Sequence, residues 1–263
     1  MCTIAFLVGV LAEAPLVLAA NRDELYERPT RPPEPLGPHV VGGVDALSGG
    51  TWLAVRRDGR FAGVTNQRAL VTPPPGLRSR GLAVKELALA DDPDTYVREL
   101  DPTRYASMNL AWGDARGVSI AYLRQDGAKE IVTLERGVHV LCNDKLGALG
   151  FPRCERLEAE CHRMIAIEDA KRSAGSSRVL DSALAALAIA LGDDRRVPLA
   201  EVAPSEFSIE IAHAMTATCI RTERYGTRSS TLFASSLAGA VAYRHADGPP
   251  NTTPFADRLE LLS

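Results

Sequence analysis

Short apolar runs of strand length, several joined by turn signals, recur along this chain, and nothing else in it constrains the fold as much. Thr3–Val10 and Leu16–Ala20 flank Leu11–Ala14, a pattern that suits a hairpin of two buried strands. A helix over Thr3–Leu18 is disfavoured by Gly9, Pro15 and the β-branched residues. Trp52–Arg56 and Phe61–Thr65 flank Asp58-Gly59, a hairpin turn signal. Met108–Trp112, Val118–Leu123, Ile131–Leu134 and His139–Cys142 read as further strands, with Asp126-Gly127 turning the second into the third. Ala217–Arg221, Thr231–Ser235 and Ala240–Arg244 return to the same pattern. Pro29, Pro32, Pro33, Pro35 and Pro38 predict an extended surface loop, because proline fixes φ and removes a donor. Pro73-Pro74-Pro75-Gly76 predicts another loop.

Three stretches read as helices. Ser79 is a natural N-cap for a segment carrying Leu82, Val84, Leu87, Ala88 and Leu89. Arg153–Ile167 and Ser177–Leu191 follow, the second with Val179, Leu180, Leu184, Leu187 and Leu191 on one face. Strands, helix, strands, helices and strands with hairpin turns predict antiparallel sheets covered by helices. With no internal repeat, one domain over residues 1–263 is the simplest count.

Composition narrows the function. At 46% hydrophobic and 24% charged residues, wholesale disorder and fibrous repeats are excluded. Thirty Lys and Arg against 33 Asp and Glu give a net charge of −3, without the basic surplus that nucleic acid demands. Thr3–Leu18 is interrupted by Glu13 and Pro15 and falls short of the roughly 20 apolar residues of a spanning helix. No Lys or Arg precedes Arg22, so a signal peptide's basic start is missing and the expected location is the cytoplasm. Five cysteines without a spaced framework are then expected to be free thiols.

The chemistry begins at Cys2. Methionine before a small residue is normally trimmed, and trimming would leave Cys2 with a free thiol and a free α-amine. An α-amine of pKa about 7.7–8.0 can take a proton from a nucleophile at neutral pH. One residue then holds nucleophile and base. A thiol at a strand start can equally be a small hydrophobe in the core. Directly after Leu16–Ala20 stand Asn21-Arg22-Asp23-Glu24, which a hairpin brings beside Cys2. Alternation places Asn21 and Asp23 on one face and Arg22 and Glu24 on the other. Asp23 is the candidate acceptor for the cysteine ammonium, and an arginine the candidate partner of a thiolate. A surface Arg–Asp pair at a strand end is the competing account.

These residues carry a resemblance. Met1-Cys2, Asn21-Arg22-Asp23-Glu24, Arg28-Pro29-Thr30, Gly49-Gly50-Thr51-Trp52-Leu53, Val64-Thr65-Asn66 with Arg68, Ser79-Arg80-Gly81, Asn109-Leu110, Leu141-Cys142-Asn143 and Tyr225-Gly226-Thr227-Arg228-Ser229-Ser230-Thr231 stand in the order of the NRDE family. This family is also called transport and Golgi organisation 2, and it resembles the N-terminal-nucleophile hydrolases, especially the bile-salt-hydrolase and penicillin-V-acylase branch. The resemblance implies an α+β fold, a four-layer αββα sandwich with two antiparallel sheets between helices. It implies Cys2 as nucleophile, Asp23 as amine-binding acid, Asn66 and Asn143 as oxyanion donors and Arg228 as the C-terminal arginine. Asn21, Arg22 and Trp52 are expected to bind substrate. The acylase branch carries an arginine three residues before the aspartate, where this chain has Ala20.

Two functions follow. One is a cysteine-nucleophile amidohydrolase acting on a small amide or acyl substrate, needing no cofactor for catalysis. The other is a carrier of haem or a lipid-like ligand, since the resemblance also implies haem trafficking and lipid homeostasis. No Cys-x-x-Cys-His site exists, so haem would be held reversibly. Cys154 and Cys161, seven apart on one predicted helix, are two turns apart and too distant to chelate a metal as a pair, so no metal site is expected. His39 and His245 are expected at the surface, and Trp52 and Trp112 as core anchors.

Overall fold

The computed structural model describes residues 2–68, 74–173, 179–203, 205 and 207–263. Their strands form two antiparallel sheets. The first has six strands in the spatial order β10 (Gly137–Leu141), β1 (Cys2–Val8), β2 (Leu16–Leu25), β11 (Tyr225–Ser236), β12 (Gly239–Ala246) and β13 (Ala256–Asp257). The second has seven, running in chain order: β3 (Thr30–Gly37), β4 (Val40–Asp45), β5 (Leu53–Arg56), β6 (Phe61–Asn66), β7 (Met108–Asp114), β8 (Gly117–Leu123) and β9 (Lys129–Thr133).

Helices cover both outer faces. Helices α1 (Arg80–Leu89) and α2 (Pro93–Glu99) lie on the second sheet, and α3 (Pro152–Ser173) and α4 (Val179–Leu191) on the first. A short α5 (Ile209–Ala214) precedes β11. Strands β1 and β2, in the middle of the first sheet, are buried on both faces, so they read as unbroken apolar runs without alternation. Ile4, Phe6, Leu16 and Leu18 point between the sheets, against Val41, Phe61 and Ile120. Ala5, Leu7, Val17 and Ala19 point the other way, against Leu157, Leu184 and Leu187 of the helices. A third core joins Val84 and Leu87 of α1 and Val97 of α2 to the outer face of the second sheet. The result is the α+β, four-layer αββα sandwich.

Several local expectations change. The proline-rich segment is strand β3, at the edge of its sheet with register shifts between Arg31 and Glu34 and between Pro35 and Gly37. An edge tolerates residues that cannot donate on the side with no partner. Ala217–Arg221 is irregular rather than a strand. Its backbone instead serves side chains and loops: Thr218 O accepts from Asn21 Nδ2, and Ile220 N donates to Thr227 Oγ1. Helix α2 went unforeseen, although Asp92 caps Thr95 N and Pro93 occupies the first turn. Cys142 and Cys154 are disulfide-bonded, which corrects the expectation of free thiols there; Cys2, Cys161 and Cys219 are free. That expectation rested on a reducing location and on an odd number of cysteines without a spaced framework, whereas the fold brings the two Cα atoms to 6.6 Å. His245 is not at the surface but 3% exposed, on β12 beside Thr231 Oγ1. Met1, Pro73 and Ser177 lie outside the described residues. No helix among the described residues is long and apolar enough to cross a membrane.

Candidate active site

The β1–β2 register pairs Cys2 with Arg22 and Ile4 with Ala20. Directly paired residues of antiparallel strands share a face, so Cys2 and Arg22 both point into the layer between the sheets. Asn21 and Asp23 point to the helical side, as alternation requires. Arg22 is 4% exposed and its guanidinium stacks on Trp52, 4.2 Å from the ring centroid. It also donates from Nη1 to Thr30 Oγ1 at 3.0 Å and lies 3.8 Å from Glu24. Ala20 stands one pair further along the same face, so Arg22 supplies a cation directly across from Cys2.

Asp23 lies at the end of β2 with its carboxyl 1% exposed. Oδ1 accepts from Thr227 Oγ1 at 2.7 Å, and Oδ2 is 3.9 Å from Arg153 Nη1. Burial raises the Asp23 pKa, opposed by the Arg153 guanidinium and the Thr227 hydrogen bond. Arg153 is the largest fully buried side chain among the described residues. Its Nη2 donates to Asn143 Oδ1 at 2.5 Å and its Nη1 to Met215 O at 3.3 Å. Asn143 follows β10, and continuing the Ile4–Leu141 register by two residues sets it beside Cys2. Its Nδ2 donates one hydrogen to Asn66 O at 2.8 Å, leaving the second for another acceptor.

These groups meet at a cleft of about 780 Å³ lined by Cys2, Arg22, Asp23, Trp52, Asn66 and Tyr225 among others. Cys2 is half-buried at its margin. Burial pushes the Cys2 thiol above its ordinary value; the Asp23 carboxylate adds to this, while Arg22 and a hydrogen bond from the Asp23 backbone pull it back. Burial thus disfavours the thiolate, and a nucleophile here gains from a base at hand. Larger pockets of this kind bind small molecules more readily than flat surfaces do.

The structure thus brings together Cys2, Arg22, Asp23, Trp52 and Asn66 in the cleft lining, with Asn143 buried next to it and donating to Asn66 O. Two expected residues lie apart. Asn21 is a strut on the helical side, donating from Nδ2 to Leu191 O and Thr218 O and accepting from Ser230 Oγ. Arg228 sits at the β11 register shift and donates to Asp247, away from the cleft lining. Sequence reading missed Arg153, although a charge at the head of the stripe Leu157, Cys161 and Met164 was a signal that it faces inward. Thr227 stands in the Tyr225–Thr231 block of the resemblance with no role assigned to it there, and β11 carries it to Asp23. No group of three or more His, Cys, Asp or Glu arranged to hold a metal occurs among the described residues.

Comparison places this geometry among known proteins. The chain is 30% identical over 244 residues to the transport and Golgi organization protein 2 homolog of Bos taurus, covering 87% of this chain and 84% of that one. It is 27% identical over 246 residues to the Homo sapiens homolog, with the same coverage. In structure it is similar to a mutant of the conjugated bile acid hydrolase from Clostridium perfringens, with a TM-score of 0.51 and 11% identity, covering all of this chain and 94% of that one. Such a likeness concerns the fold. The profile of the transport and Golgi organisation 2 family matches residues 1–245. The chain belongs to the transport and Golgi organisation 2 family.

Proposed function

We propose that this protein is a cysteine N-terminal-nucleophile amidohydrolase acting on a small amide. The observation that carries the reading is the pairing of Cys2 with a buried Arg22 at the mouth of a cleft, next to a buried Asp23. Once Met1 is removed, the Cys2 α-amine takes the thiol proton as Sγ attacks the amide carbonyl. Asp23, whose charged form Arg153 favours against its burial, holds the resulting ammonium. The tetrahedral oxyanion accepts from the second hydrogen of Asn143 Nδ2 and from the Asn66 amide. Removing one such donor typically costs about 10²–10³ in rate. The ammonium returns its proton to the leaving amine, giving an acyl-thioester. Water attacks that thioester with the α-amine again as base, releasing the acid and restoring the thiol.

The apolar part of the same cleft lining, Phe207, Ile211 and Met215, favours a second reading, in which the cleft carries haem or a lipid-like ligand without turnover. Exchanging Cys2 for Ser separates the two. A hydrolase loses at least about 10²-fold in turnover while still binding substrate, because a hydroxyl is far the weaker nucleophile near neutral pH. Unchanged hydrolysis by Cys2→Ser, or an intact mass that retains Met1, would sink the nucleophile.

A further inference from the structure

The cleft lining contains four arginines, and three of them are engaged. Arg22 stacks on Trp52 and faces Glu24, Arg28 forks onto Asp45, and Arg78 pairs with Glu86 and donates to Tyr105. The acids of the lining are likewise taken: Glu24 and Asp45 by these arginines, and Asp23 by Arg153. Arg80 is the cation left over. Among the described residues no carboxylate lies within ion-pair distance of it, and its hydrogen bond is a long one, from Nη1 to Ser107 O at 3.4 Å. It is nevertheless half-buried in the wall, where burial draws its pKa down. A partly desolvated guanidinium without a counter-charge is costly, and an anionic ligand group removes that cost.

The position is also rigid. Thr51 N donates to Gly81 O at 3.0 Å, and a Cβ on Gly50 would stand 2.3 Å from the Gly81 backbone. The start of α1 is thus docked backbone to backbone on the loop that carries Trp52. Another part of the lining is apolar: Phe207, Ile211 and Met215, from the segment around α5.

We propose that the cleft takes an amide joining an apolar acyl group to an acidic amine, with Arg80 binding the carboxylate of the amine part. The acyl group lies along Phe207, Ile211 and Met215. The bond to be broken is assigned by the hydrolase reading above; the anion subsite is a claim about binding alone. N-octanoylglycine and N-octanoylethanolamine share an acyl group and differ in carrying a carboxylate or a hydroxyl, and their affinities are measured by calorimetry on Cys2→Ala, which cannot turn them over. The glycine conjugate is expected to bind at least about tenfold tighter, and adding Arg80→Gln to bring the ratio close to one. Adding Arg80→Lys is expected to keep part of the preference, and adding Arg78→Gln to keep all of it. Equal affinities, no binding of either amide, or a preference unmoved by Arg80→Gln in a variant with unchanged circular dichroism would overturn the subsite. An Arg80-dependent preference without cleavage by the wild-type protein supports the subsite and overturns the hydrolase reading instead.

Discussion

Arg153 joins two groups that the chain's order keeps far apart. A charged side chain at 1% exposure is tolerable only because Asp23, Asn143 and Met215 O surround its guanidinium. Arg153→Met is expected to lower stability by about 3–5 kcal/mol, since it leaves the Asp23 carboxylate buried without its cation. Urea unfolding measures this, and Arg153→Lys should recover part of the loss. His245 makes a pH prediction. Burial draws its pKa from 6.5 down to about 4. The unfolded chain takes up this proton as pH falls through 6.5, while the folded chain resists until about 4. Its contribution is complete above pH 6.5 and is lost between 6.5 and 4, amounting to about 3 kcal/mol over that range. In His245→Gln the fall in stability across this window should be smaller by that amount; equal slopes in the two proteins would refute the assignment.

Helix α1 matters to the cleft through its first turn. Ser79 caps it, with Oγ accepting from Gly81 N at 3.2 Å, so Ser79→Ala should cost about 1 kcal/mol. Gly50 acts differently, because a methyl there meets backbone that cannot swing aside. Gly50→Ala is expected to cost about 1–3 kcal/mol and to push the helix start off its loop. Thermal unfolding of both variants tests the order. Strand β11 shows the same dependence on neighbours: its register shift between Thr227 and Ser229 keeps Thr227 opposite Asp23 and turns Arg228 towards Asp247.

The molecule as a whole depends on three apolar layers, of which the central one joins the two sheets. Phe6 is fully buried there and packs on Phe61 of the other sheet with ring centroids 5.9 Å apart. Phe6→Ala should destabilise by about 3–5 kcal/mol. In a protein of this length that lowers the melting temperature by about 6–20 °C, at roughly 2–4 °C per kcal/mol. A smaller drop would mean that the sheets repack across the gap.

By itself the sequence determined most strands, the helices from Ser79 and Arg153 onward, the αββα class through resemblance, and the meeting of Cys2 with the Asn21–Glu24 quartet. These follow from local rules: apolar periodicity, turn glycines, caps, and the fact that a hairpin returns its ends to one place. Alternation even separated Arg22 from Asp23 correctly, without revealing that Arg22 shares the face of Cys2. Tertiary structure alone decided that Arg153 serves Asp23 and Asn143, that Arg228 and Asn21 lie outside the cleft, and that Cys142 meets Cys154. It also buried His245 and drew the prolines into an edge strand. The reason is physical: periodicity records whether a side chain faces a core, but its partner is set by which distant element packs there.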